Sequence, residues 1–147
     1  MGWVEDLRGK TVGLDTSPLI FFIEKHVFYA DVVRPFFQAV DRGEIHVVTS
    51  TVSLLEVLVH PIRHGDEALA HEYNDILLTS ANISTFPLTP ATAQVAAELR
   101  AEHKLKTPDA IQLATSITHG ATEFLTNDRD SGKIPGLEVI KLRDLKA

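Results

Sequence analysis

Asp15 closes a short apolar run, Thr11–Leu14, and Asp128 and Asp130 stand just beyond another, Glu123–Thr126. Glu56 is embedded among Leu54, Leu55, Val57 and Leu58, and Asp109 follows the helix-opening pair Thr107-Pro108. Singly, most of these acids have an ordinary structural reading. A strand-end Asp caps a turn, and a first-turn Asp favours the helix dipole by about 0.3–1 kcal/mol. Glu56 is different, because a charge in so apolar a stretch requires a partner or a solvated groove. Together the acids point to a cation. Converging carboxylates repel one another and persist where a cation neutralises them. An oxygen-only donor set suits Mg²⁺ or Mn²⁺, and that combination supports phosphodiester hydrolysis by a metal-activated water. Cysteine is absent, which excludes a thiolate zinc site, a cysteine nucleophile and a disulfide scaffold.

Such acids converge only if the elements carrying them end on one rim. Buried strands are expected at Thr11–Leu14 and 45–49, with a possible third at 83–88 and further candidates at Glu123–Thr126 and 138–142. Helices are expected from Ser17-Pro18, with Ser17 as cap, and over 31–41, where apolar residues fall at 32, 33, 36, 37 and 40. A third runs from a cap at Ser50 or Thr51 through Val59, with Pro61 just beyond it, and a fourth covers 66–79. Thr89-Pro90 and Thr107-Pro108 repeat the cap-then-proline signature before helices at 91–103 and 109–119. Strands alternating with helices imply a central parallel sheet in a three-layer α/β/α sandwich. Ligand sites in such sheets lie beyond the carboxyl ends of the strands.

The chain has 147 residues, 44% apolar and 23% charged. It reads as a single globular domain over 1–147, long enough to bury a core without covalent staples. Fourteen basic against twenty acidic residues give a net charge of −6, unusual for a nucleic-acid binder unless cations offset the acids locally. No apolar run approaches the ~20 residues of a membrane span. The N-terminus lacks a signal-peptide layout, so a cytoplasmic location is expected.

Four segments carry a family resemblance. Val12-Gly13-Leu14-Asp15-Thr16-Ser17-Pro18-Leu19-Ile20 resembles the opening motif of PIN-domain nucleases, and Ser53-Leu54-Leu55-Glu56-Val57 their second. Lys106-Thr107-Pro108-Asp109-Ala110-Ile111-Gln112-Leu113-Ala114 is the most specific match, and Leu125-Thr126-Asn127-Asp128-Arg129-Asp130 resembles the fourth. They occur in family order. The resemblance implies a Mg²⁺- or Mn²⁺-dependent ribonuclease, similar to the toxins of VapBC toxin–antitoxin pairs. It also implies an RNA substrate, a cognate antitoxin and a homodimer. Asp15, Glu56, Asp109 and Asp128 carry over as the acids, with Asp130 as an occasional fifth. Asp15 and Asp109 are expected to hold the principal ion, Glu56 and Asp128 to complete the cluster, and Ser17, Thr126 and Asn127 to hydrogen-bond the carboxylates. Lys106, Arg129 and Lys133, with Arg63 and Lys104, are candidate RNA contacts. The chain departs from many of these toxins in carrying Ser131-Gly132-Lys133 where an aromatic is common.

Other features are weaker. His60 and His64 have the i, i+4 spacing of a zinc pair, but Pro61 between them argues against an unbroken helix. Phe21, Phe22, Phe36 and Phe37 suit a core or a partner surface, and Trp3 suits cover for a sheet edge. An aspartate-nucleophile phosphotransferase shares the strand-end Asp, but Asp15-Thr16-Ser17 lacks its second acid. A degenerate PIN-like module that binds RNA or protein without catalysis is the alternative.

Overall fold

The computed structural model describes residues 2–128 and 133–145. Five strands, β1 (Thr11–Leu14), β2 (His46–Ser50), β3 (Ile83–Phe86), β4 (Glu123–Thr126) and β5 (Glu138–Lys141), form one sheet in the order β3-β2-β1-β4-β5. Every pairing is parallel, with Val12 opposite both Val47 and Glu123. Six helices connect them: α1 (Thr16–Ile23), α2 (Ala30–Asp41), α3 (Thr51–Arg63), α4 (Glu67–Leu78), α5 (Pro90–Glu102) and α6 (Thr107–Thr118). This is the expected α/β sandwich.

The three central strands, β2, β1 and β4, are buried on both faces, and the two faces serve two cores. Val12, Leu14, Val47 and Leu125 pack with Val33, Phe36, Phe37, Val57, Tyr73 and Leu77 of α2, α3 and α4. Val48 and Phe124 point the other way, to Ala96 and Leu99 of α5 and Ala110, Leu113 and Ala114 of α6. Phe36 and Phe37 are therefore core, and Phe22 stacks on Phe37 at 4.4 Å. Trp3 lies on Phe36 at 5.9 Å rather than over a sheet edge. Gly13 fixes how closely α6 approaches β1. A Cβ there would lie 2.0 Å from Ser116 Oγ and 2.6 Å from Ser116 Cβ, so only glycine fits.

Several boundaries differ from the sequence expectation. Asp15, not Ser17, caps α1, accepting from the Thr16 N–H. Lys106, not Thr107, precedes α6, with no side-chain cap. The α3 helix runs through Pro61 to Arg63, because a proline in the last turn forfeits only one intrahelical bond. His60 and His64 therefore do face each other, with rings 4.3 Å apart, but His64 Nδ1 is already engaged by the His60 carbonyl. Strand β3 ends at Phe86, and Leu142 opens a 3-10 turn instead of extending β5. Among the described residues no helix is long and apolar enough to cross a membrane.

Candidate active site

Asp15, Asp109 and Asp128 line one small cleft at the carboxyl ends of β1 and β4, with Thr126, Leu105, Leu113 and Phe124. Its free volume is about 10 Å³, room for a single water-sized sphere. Each acid arrives by a different local device. Asp15 is the residue where β1 becomes α1. Its N–H donates to the Leu125 carbonyl and its Oδ1 accepts from Thr16 N–H, so strand pairing and helix start both fix it. Thr126, fully buried at the end of β4, donates to Asp15 Oδ2 at 2.6 Å and accepts the Asp128 N–H at 2.9 Å. One hydroxyl thereby ties two of the acids together. Asp109 lies in the first turn of α6, the end of a helix that favours negative charge.

Glu56 comes from α3. It is exposed, and its Oε1 accepts from the Thr16 hydroxyl at 2.7 Å. The partner that Glu56 requires on sequence grounds is thus a side chain from α1. Its Thr16 is the hydroxyl that reaches a carboxylate, in place of the expected Ser17. Asn127 Oδ1 accepts from the Arg143 N–H, which ties the end of β4 to the C-terminal 3-10 turn.

The electrostatics join the four. Burial is the main cause raising the Asp15 carboxyl above the ordinary range; hydrogen bonds from Thr126 and Thr16 oppose it, and repulsion from Glu56 and Asp128 adds to it. Asp109 is pushed up to about 6, first by burial and then by Asp15, Asp128 and Glu56, with Lys106 opposing. The charge of Asp15 and Asp109 is therefore only partly offset by the protein. No three His, Asp or Glu side chains among the described residues are drawn together as a finished ligand set. In donor chemistry the residues fit a hard divalent ion: all ligating atoms are oxygen, the charge awaits a counter-ion, and the cleft has room for one.

Lys106 is exposed and acts on Asp109, and Lys133, Lys104 and Arg63 are exposed as well. Arg129 and Asp130 lie outside the described residues. Sequence reasoning overlooked a buried polar cluster behind the acids, made of Thr49, Ser50, Ser53 and Gln112. The signal was present: Gln112 interrupts the apolar run Ala110-Ile111 to Leu113-Ala114 as Glu56 interrupts its own.

Comparison with known proteins agrees with the fold that carries this site. Among solved structures, a DNA-bound VapBC from Salmonella typhimurium superposes with a TM-score of 0.67 at 18% identity, over 90% of this chain and 98% of that one. VapBC2 from Rickettsia felis, bound to a DNA fragment from the promoter, gives 0.66 at 18% identity over 89% and 98%. A toxin–antitoxin complex from Klebsiella pneumoniae gives 0.63 at 23% identity over 90% and 97%. At these identities the likeness is one of fold. No curated protein matches the sequence. The PIN domain family model matches residues 12–137, from β1 through β4 with all four acids, and the chain belongs to the PIN domain family.

Proposed function

We propose that this protein is a Mg²⁺- or Mn²⁺-dependent endoribonuclease, acting as the toxin of a toxin–antitoxin pair. The observation that carries the reading is the meeting of Asp15, Asp109 and Asp128 in one cleft, with Glu56 near enough to raise two of them. Asp15 and Asp109 would hold the ion, with Glu56 and Asp128 completing its surroundings. When bound, the ion supplies Lewis acidity toward the scissile phosphate and lowers the pKa of water. The chain supplies the rest. Thr126 holds Asp15 Oδ2 and the Asp128 backbone in register, and Thr16 holds Glu56 Oε1. An ionised carboxylate of the cluster takes the proton of the attacking water. Lys106, beside Asp109, offers its ammonium to an RNA phosphate. The family resemblance implies products with 5′-phosphate and 3′-hydroxyl ends, and a 2′,3′-cyclic phosphate, the mark of attack by the RNA's own 2′-hydroxyl, overturns the water mechanism.

Support for a protein partner comes from the VapBC complexes that share the fold. It comes also from an exposed apolar stripe on α3, where Leu55 and Ile62 are 65% and 67% accessible beside Val59. We assign that partner as an antitoxin and the protein itself as a homodimer in the cytoplasm.

The test is incubation of purified protein with total tRNA and rRNA in Mg²⁺ or Mn²⁺. Cleavage lost both with EDTA and in Asp15→Asn is expected. The alternative, a module that binds RNA or protein without catalysis, is favoured by the lack of a finished ligand set among the described residues. That alternative gains if calorimetry detects no Mn²⁺ binding.

A further inference from the structure

Gln112 is the centre of a hydrogen-bond network with almost no access to solvent. It lies one turn beyond Asp109 on α6 and is 1% exposed. Its Oε1 accepts from the Ser50 hydroxyl at 3.0 Å. Its Nε2 donates to Ser53 Oγ at 2.5 Å and approaches Thr16 Oγ1 at 3.4 Å. Ser53 and Thr16 are 3.2 Å apart, and the Thr16 hydroxyl donates to Glu56 Oε1. Thr49 joins from below, donating to the Leu14 carbonyl at 2.9 Å and lying 3.1 Å from Ser53.

The chemistry of these groups gives the network a direction. An amide NH₂ only donates and a carboxylate only accepts. The Nε2 protons therefore point at Ser53 and Thr16, which leaves the Thr16 proton for Glu56. Glu56 is exposed and carries a long side chain with several rotamers, so this hydroxyl restricts where its carboxylate rests. The network also joins α1, α3, α6 and the end of β2, the segments that bring Asp15, Glu56 and Asp109 to one rim.

We propose that Gln112 is a positioning residue: through Ser53 and Thr16 it sets the hydroxyl that holds Glu56 in place for cation binding. The inference rests on reading the four acids as a cation site, and deepens it by naming the group that orders the acid arriving from α3. Groups that orient metal ligands in this way typically change metal affinity about 10–100-fold when removed.

Calorimetric titration of the metal-free, full-length protein with Mn²⁺ tests this without reference to cleavage. Gln112→Met keeps the volume and removes the amide. Its Mn²⁺ affinity is expected to fall about tenfold, and Thr16→Val is expected to match it. Thr16→Ser, which keeps the hydroxyl, is expected to stay close to the wild type. In a Glu56→Gln background, Gln112→Met is expected to cost nothing further, because both changes act on one carboxylate. Unchanged Mn²⁺ affinity in folded Gln112→Met overturns the proposal, as does an equal loss in the Glu56→Gln background. Should Gln112→Met fail to fold, Ser53→Ala cuts the same route at one hydroxyl, and its affinity decides. Wild type that binds Mn²⁺ but cleaves no RNA removes the nuclease reading and leaves the positioning result to stand on the affinities. Wild type that binds no Mn²⁺ overturns both.

Discussion

At Asp109 the protein holds a carboxyl whose proton leaves only near pH 6 in the absence of a cation. A carboxyl raised in the folded state binds more protons folded than unfolded, so its contribution to stability falls as pH rises. The loss begins near the unfolded value of about 4 and is complete just above 6. Metal-free thermal melts from pH 4 to 8 should show this decline in the wild type and less of it in Asp109→Asn. Because Asp109 is partly solvated, the stabilisation by Asp109→Asn at pH 7.5 should be about 1 kcal/mol, well under the unscreened value. Asp15→Asn should also raise the metal-free melting temperature, since burial and two acids oppose its charge. If the proposed cation site is correct, Mn²⁺ should raise the melting temperature of the wild type, as binding to the folded state stabilises it, and both variants should lose that increase. The four acids were legible in the sequence because each stands at a strand end, a helix start or inside an apolar run. Their hydrogen-bond partners were less so. Thr16 and Ser17 are both short hydroxyl residues after Asp15, and only the helix phase decides which faces Glu56.

Element positions followed from periodicity and punctuation, while several ends did not. Pro61 shows why: a proline signals a stop by its missing N–H, but the last turn of α3 tolerates that loss. Asp15 and Lys106 displaced the expected caps by one or two residues, because strand pairing and chain entry, absent from local sequence, set the first helical turn. The contact between β1 and α6 makes its own prediction. Gly13→Ala should destabilise the protein by about 1–3 kcal/mol in urea unfolding, through overpacking against Ser116 and Phe124. Adding Ser116→Ala should recover little, since the Ser116 Cβ itself stands 2.6 Å from the new methyl position. Because α6 carries Asp109 and Gln112, the same substitution should also weaken Mn²⁺ binding. A variant that loses stability and keeps full Mn²⁺ affinity would show that the helix moves without moving its acid.

For the whole molecule, the net charge of −6 limits how an RNA substrate, on the proposed ribonuclease reading, would be held. Among the described residues, Lys106 is a basic group that acts directly on Asp109. Single-stranded RNA bound through about three phosphates should lose roughly twentyfold in affinity between 50 and 200 mM salt. Filter binding with the cleavage-defective Asp15→Asn variant measures it, and a flat response would remove phosphate contacts from the account. The strand order has a last consequence. Central β1 pairs with β4, so Asp15 meets Thr126 and Asp128 only across more than a hundred intervening residues. A ribosome adding about 5–20 residues per second needs several seconds to make that span. During that time β1, β2 and β3 can emerge and pair, but the cleft has only one wall. A nascent chain therefore holds Asp15 and Glu56 before the residues that complete the cleft have been made, and the site closes only once β4 is free of the exit tunnel.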